Sequence, residues 1–380
     1  MFRFCDLEKR LIPSAEKPPL PSNWPDLFGS QFGPHMLVVE WSEAQGWSRP
    51  RIESFRDLSV HPAALVLHFG HANMETLKCF RGEDDRIRLF RPEYKMHRLN
   101  LGATRAGLPN FDEHELLKCL AELIRTDQDW VPPYRQGSLY LRPATYAHQP
   151  SRSATLYCIT SASPSTVASF LSSPNGSKLY ADPRFVRAWP GGCGEHKMAG
   201  MFAPTLYVNK LAKEHGCNQA LWLYGPDEEL TEAGGMNICF ILRRPFESDG
   251  AGANAKERLQ LVTPWLKDNL ILPGVTRDSI MQLAKEQKMV DQVLETKVTM
   301  AELRYWLSHG QLEEMFGCGT GANFDAIQAI FYKPTGEWLQ IPCPATGEEK
   351  AGSVMKRLQD ALSDIREGRV ERSEWVYLVT

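Results

Sequence analysis

One lysine in this chain is set among residues with almost no bulk. In "GGCGEHKMAGMFAPT", residues 191–205, Lys197 follows Gly191, Gly192 and Gly194 and precedes Ala199 and Gly200. A lysine that only solvates a surface needs no cleared space, and no acid lies at helical spacing to pair with this one. A lysine that condenses with a carbonyl does need it: small flanks let a flat ring lie against the main chain, and the amine must be populated in its neutral form. A second feature, "EELTEAGGMNICFIL", places Glu232 just ahead of Gly234 and Gly235 and a buried-looking strand. Beside an aromatic nitrogen a half-buried carboxylate keeps that nitrogen protonated and makes the ring a better electron sink. A third, "LILPGVTRDS", turns at Pro273-Gly274 into a helix starting near Val275 and Thr276, whose backbone N–H groups suit a phosphate. Each residue also has an ordinary reading, as surface lysine, turn acid or helix entrance.

The elements that must position these groups follow from periodicity. "HMLVVEW", "IRLFRP", "SLYLRPATY" and "TLYCIT" read as strands from their β-branched and aromatic content. "FDEHELLKCLAELIRTDQDW" reads as an amphipathic helix, with Asp112 as N-cap, Glu115 three residues on, and Leu116, Leu117, Leu120, Leu123 and Ile124 on one face. "SASPSTVASFLSSPNGSK" loses periodicity, so a linker is placed at 163–178. It separates a smaller N-terminal α/β domain, 1–162, from a larger C-terminal domain, 179–380, that carries Lys197. In the latter, "QALWLYG", "MNICFIL", "LQLVTP", "AIQAIFY" and "EWLQIP" read as strands, and "PTLYVNKLAKEHG" as a helix running from Pro204 to Gly216. A last helix in "GEEKAGSVMKRLQDALSDI" has Val354, Met355, Leu358, Leu362 and Ile365 on one face. Strands mixed with helices without a regular βαβ cadence predict an α+β fold. The run "FGCGTGANFDAIQAIFY" brings Gly317, Gly319, Thr320 and Gly321 into a turn that leads to a strand, which sets aside a dinucleotide fingerprint.

Bulk properties narrow the partners. Over 380 residues the chain carries 43 basic and 46 acidic side chains and a formal net charge of -3, with the signs mixed throughout. That balance argues against a nucleic-acid footprint or a polybasic membrane surface and for a small-molecule substrate. The nine cysteines are scattered without C-x-x-C spacing, so they read as reduced thiols in a cytoplasmic setting, with no metal site.

Taken in order, "IRLFRPEYKMHRLNLGATRAGLPNFD", "SLYLRPATY", "ADPRFVRAWPGGCGEHKMAG", "LWLYGPDEELTEAGGMN", "LILPGVTRDS" and "EEMFGCGTGA" resemble the branched-chain amino acid aminotransferases. These are pyridoxal 5'-phosphate enzymes of fold type IV, the two-domain α+β fold of D-amino acid aminotransferase. The resemblance implies that Lys197 carries the cofactor as a Schiff base and shuttles a proton, that Glu232 pairs with the pyridine nitrogen, and that Arg98 clamps the phosphate. Val275 and Thr276 assist by backbone, with the turn at Thr320. Phe28, Phe69, Tyr140 and Arg142 lie on the substrate side, as does Gly321. The implied activity moves an amino group between an aliphatic L-amino acid and a 2-oxo acid such as 2-oxoglutarate, in a homodimer. A lyase or D-amino acid transaminase of the same fold, or a lapsed binding homologue, are the alternatives.

The chain also departs from that pattern. Phe202 stands where the family has a tyrosine that reaches the cofactor, and Phe69 replaces a substrate-side tyrosine. Met74 and Thr76 replace phenylalanine and glycine, and the loop after "ATYAHQP" is shorter. Ala322 and Asp325 occupy the positions of a C-x-x-C pair. Changes near substrate, with the cofactor residues kept, predict altered side-chain specificity.

Overall fold

The computed structural model describes residues 1–20, 31–148, 152–164, 176–245, 257–321, 323–343 and 352–380. The chain forms two compact units. In the first, the sheet runs in the order Glu8–Arg10, Arg51–Ser54, His35–Ser42, Ser153–Pro164, Gly137–Ala147, Leu77–Arg81, Ile87–Phe90 and Val376–Leu378. Strand residues alternate between faces. Leu77 and Cys79, paired with Leu141 and Leu139, turn inward and form one core with Met96, Leu99, Leu116, Leu120 and Ile124 of the helices Pro92–Ala106 and Glu113–Thr126. The same register directs Lys78 and Tyr140, which also pair with each other, to the opposite face. Asp112 caps the second helix as expected, accepting from the N–H groups of His114 and Glu115. Glu115 does not reciprocate; its carboxylate accepts from the Phe4 N–H and from Lys118 instead.

The second unit is built on a sheet in which Glu229–Ala233, Gln219–Tyr224, Ser177–Ala181, Asn323–Tyr332, Leu312–Gly319 and Met236–Pro245 follow one another. A further pairing of the first with the last closes these six strands into a ring. Leu179, Leu221, Leu230, Ile238, Phe240 and Ile327 fill its core. Ser177–Ala181 runs parallel to both of its neighbours, so the chain needs a crossover, which Thr205–Glu214 supplies. Glu257–Pro264 and Gln292–Thr296 extend the sheet beyond the ring. The helix Val354–Arg366 begins where the buried Glu314 carboxylate accepts from the N–H groups of Val354 and Met355.

The division differs from the sequence expectation. His196–Ala203, with Lys197 in it, and Asp364–Thr380 belong to the first unit, not to a C-terminal domain. The cause is long-range pairing: Asn73 bridges Met198, and Val376–Leu378 pairs with Ile87–Phe90. The 163–178 linker also overlaps structure, because Ser153–Pro164 and Ser177–Ala181 are both strands. Residues 165–175 of it lie outside the described residues. Among the described residues no helix is long and apolar enough to cross a membrane.

Candidate active site

Within the first unit, Lys197 is placed by main-chain bonds. Its carbonyl accepts the Met74 N–H at 3.0 Å, and the next residue bridges Asn73. The lysine is half-buried, with Nζ 5.9 Å from the centre of the Phe202 ring. Two residues past Asn73, Glu75 lies on the helix side of the sheet. There its carboxylate takes a two-pronged bond from Arg98, through Nε to one oxygen and through Nη2 to the other at 2.9 Å. Both side chains are buried, at 4% exposure for Arg98 and 1% for Glu75. Burial pushes the Glu75 carboxyl up, but the charge and bonds of Arg98, with Lys95 and Lys197, outweigh it and hold the group below the ordinary carboxylate value.

On the other face, Tyr140 is buried, its hydroxyl bonded to Thr76, and burial pushes the pKa of that hydroxyl above the usual phenol value. The Arg142 guanidinium lies 5.8 Å from the centre of the Tyr140 ring. Phe69 ends the short helix Leu65–Phe69 and is exposed, as is Phe202. Lys197, Arg98, Phe69, Tyr140, Arg142 and Phe202 are thus residues of one unit. Phe28 and Ala322 lie outside the described residues.

The second unit holds the other predicted residues. Glu232 is buried near the end of a hairpin whose two-residue turn is Gly234-Gly235, so that it pairs directly with Asn237. One carboxylate oxygen accepts the Leu272 N–H at 2.8 Å, and the other lies 3.1 Å from Arg187 Nε. Arg187 is fixed in turn by the carbonyls of Gly194 and Leu270. Asn237 donates to the Leu272 carbonyl, immediately before the turn that opens the helix Val275–Glu286. The N-cap of that helix, Gly274, offers no side-chain acceptor to the first amides. Thr320 and Gly321 lie between the strands Leu312–Gly319 and Asn323–Tyr332, so the glycine-rich run leads by a turn into a strand as expected, and the two strands pair as a hairpin.

The glycines ahead of Lys197 have packing reasons of their own. Gly191 has φ +76°, and a Cβ on Gly194 would stand 2.3 Å from the Asn269 carbonyl oxygen. Their small size therefore belongs to the chain path before the lysine. Gly200, after it, is where the backbone of Gly70 comes close.

Sequence reasoning missed Glu75, Lys95, Arg187 and Asn237. The "EAGGMN" hairpin carried a usable signal for Asn237, since a Gly-Gly turn pairs the residues flanking it. Arg187 and Lys95 carried none, because basic residues are ordinarily read as solvated.

Residues 74–330 match the family model of amino-transferase class IV. The mitochondrial branched-chain-amino-acid aminotransferase of Mus musculus is 40% identical over 387 residues, covering 100% of this chain and 92% of that protein. The cytosolic one of the same species is 41% identical over 357 residues, covering 92% and 86%. Among solved structures, the branched-chain amino acid aminotransferase of Escherichia coli superposes with a TM-score of 0.66 at 22% identity, covering 90% of this chain and 99% of that one. That last likeness establishes the fold. From these matches, and from the lysine, carboxylate and helix entrance they span, the chain belongs to the class IV aminotransferases, in their branched-chain aminotransferase branch, with pyridoxal 5'-phosphate as its cofactor.

Proposed function

We propose that this protein exchanges the amino group of a branched-chain-like aliphatic L-amino acid with a 2-oxo acid such as 2-oxoglutarate, as a homodimer in the cytoplasm. The observation that carries the reading is likeness to branched-chain aminotransferases along the whole chain, with Lys197 inside the stretch that carries the resemblance. The donor set fits the cofactor. An amine, an ion-paired buried carboxylate, a buried arginine and a helix start without a side-chain cap match an aldehyde, a pyridine nitrogen and a phosphate.

When bound, the cofactor withdraws electrons from the substrate's α-carbon so that the amino group can be exchanged. Lys197 would hold it covalently; once the substrate's amine displaces Nζ from that bond, the freed Nζ would take the proton from the substrate α-carbon and return it. The main-chain bond from Met74 keeps that amine's backbone in place through both half-reactions. Glu232 would accept the pyridine N–H, and Arg187 with the Leu272 amide keeps its carboxylate from rotating away. Arg98, whose fork is oriented by Glu75, would hold the phosphate, and the amides of Val275 and Thr276, with Thr320, are the further phosphate ligands that the family resemblance implies. On the substrate side act Phe69, Tyr140 and Arg142, together with Phe28 and Gly321.

Phenylalanine at 69 and 202 removes two hydroxyls from that environment, and Thr76 engages the hydroxyl of Tyr140. A less polar surrounding favours larger aliphatic donors. Borohydride reduction of the cofactor-loaded protein followed by peptide mapping should tag Lys197; a tag elsewhere, or none, ends the reading. A panel of amino donors should show bulky aliphatics converted alongside leucine, isoleucine and valine. Rejection of the larger ones would remove the specificity claim alone.

A further inference from the structure

Asn73 is buried, at 1% exposure, and is held to three different parts of the first unit. Its main chain pairs with Thr145 in the sheet and also bridges Met198, the neighbour of Lys197. Its side chain turns to the helix Pro92–Ala106, where Nδ2 donates to the Leu99 carbonyl at 2.7 Å. Leu99 directly follows Arg98. One residue therefore ties the seat of the reactive amine to the helix that carries the buried guanidinium.

Helix and amide are fitted to each other. A Cβ on Gly102 would stand 2.9 Å from Asn73 Nδ2, so the helix is bare where the amide reaches its carbonyl. Glycine inside a helix costs about 1 kcal/mol relative to alanine, and enclosing an amide costs more than enclosing an apolar side chain of its size. Leucine facing alanine would close the same space without either cost. What the amide adds is direction, because its bond fixes where the helix sits along the strand. Glu75, two residues on, grips Arg98 itself. Alternate residues of one segment thus hold the guanidinium and the backbone that bears it.

We propose that Asn73 is a positioning residue that sets the spacing between Lys197 and Arg98. The proposal rests on the cofactor reading given above, in which the first takes the aldehyde and the second the phosphate of one rigid ring. Two holders on a single ligand reinforce each other only while their separation matches it. A helix that drifts leaves each holder intact but prevents their joint use.

The test is equilibrium dialysis of apoprotein against pyridoxal 5'-phosphate, against pyridoxal, which lacks the phosphate, and against inorganic phosphate, which lacks the ring. In Asn73→Ala and Asn73→Leu, affinity for pyridoxal 5'-phosphate should fall about 3- to 10-fold, within the range of one neutral hydrogen bond. Pyridoxal and inorganic phosphate should each stay within about 1.5-fold. Leucine fills the space that alanine empties, so that one variant remains usable if the other fails to fold. Adding Gly102→Ala to Asn73→Ala should recover thermal stability through helix propensity, without recovering affinity for pyridoxal 5'-phosphate. Equal weakening of all three compounds, weakening of none, or recovery of affinity along with stability overturns the proposal. Failure of the unaltered protein to bind pyridoxal 5'-phosphate would overturn the cofactor reading itself, and the proposal with it.

Discussion

Replacing Arg98 by Met tests the first unit's buried ion pair directly, and the size of its effect follows from the geometry. Glu75 and Arg98 are almost fully enclosed, and both carboxylate oxygens are bonded to the guanidinium. Removing one partner of such a pair destabilises by about 3–5 kcal/mol, because the other charge is left in a low-dielectric interior. The effect also has a definite pH dependence. In the unaltered protein Glu75 titrates below its unfolded value, so its contribution is present above about pH 4.3 and is lost as pH falls through the lower, folded value. In Arg98→Met, burial is no longer outweighed, and the folded value moves above the unfolded one. Stability of the variant then falls as pH rises between those two values. The deficit against the parent should therefore already be present at pH 5, where the parent's contribution is complete, and grow by up to about 1.4 kcal/mol per pH unit until the variant's raised folded value is passed. Urea denaturation of the two apoproteins at pH 5, 6, 7 and 8 measures it free of any cofactor effect. A deficit under about 1 kcal/mol at pH 7, or one that does not change with pH, would refute the reasoning.

Two further outcomes are expected. Asp325 is buried with its carboxyl 2.6 Å from the Ser177 hydroxyl, and burial pushes it up to about 7. Its folded value lies above the unfolded one, so stability declines as pH rises from about 4 through 7. Asp325→Asn should abolish that decline and melt later than the parent at pH 8, by roughly 2–4 kcal/mol at most. At the other helix entrance, a Cβ on Gly274 would fall 1.9 Å from Asn237 Oδ1. Gly274→Ala should destabilise by about 1–3 kcal/mol and weaken cofactor binding in dialysis, by displacing the side chain that bonds the Leu272 carbonyl.

Local chemistry makes much of this molecule legible from its residues alone. The helix Glu113–Thr126 announces both its cap and its buried face, and the hairpin after Glu232 is written in two glycines. Val275 and Thr276 begin a helix where a Pro-Gly turn says one should start. What escapes depends on contacts between residues far apart in the chain. Lys197 belongs to the first unit because Met198 bridges a residue more than a hundred positions earlier, and no periodicity near 197 encodes that. Ser177–Ala181 is obscured by the polar, glycine-containing run ahead of it, although it lies between two parallel neighbours in the second sheet. Arg187 and Lys95 escape because the usual expectation for a basic residue is solvent, and only the fold reveals the enclosed surroundings of these two.

The peptide-to-peptide anchorage of the segment around Lys197 has a bearing on redesign. Every residue type has the same carbonyl, and all but proline the same amide, so the attachment between positions 74 and 197 is indifferent to the letters written on either side of it. Libraries that vary residues 69, 74, 76 and 202 can therefore search for new amine donors while the reactive nitrogen keeps its seat. Gly70 must be left as it is, since its φ of +60° and its approach to Gly200 exclude any side chain.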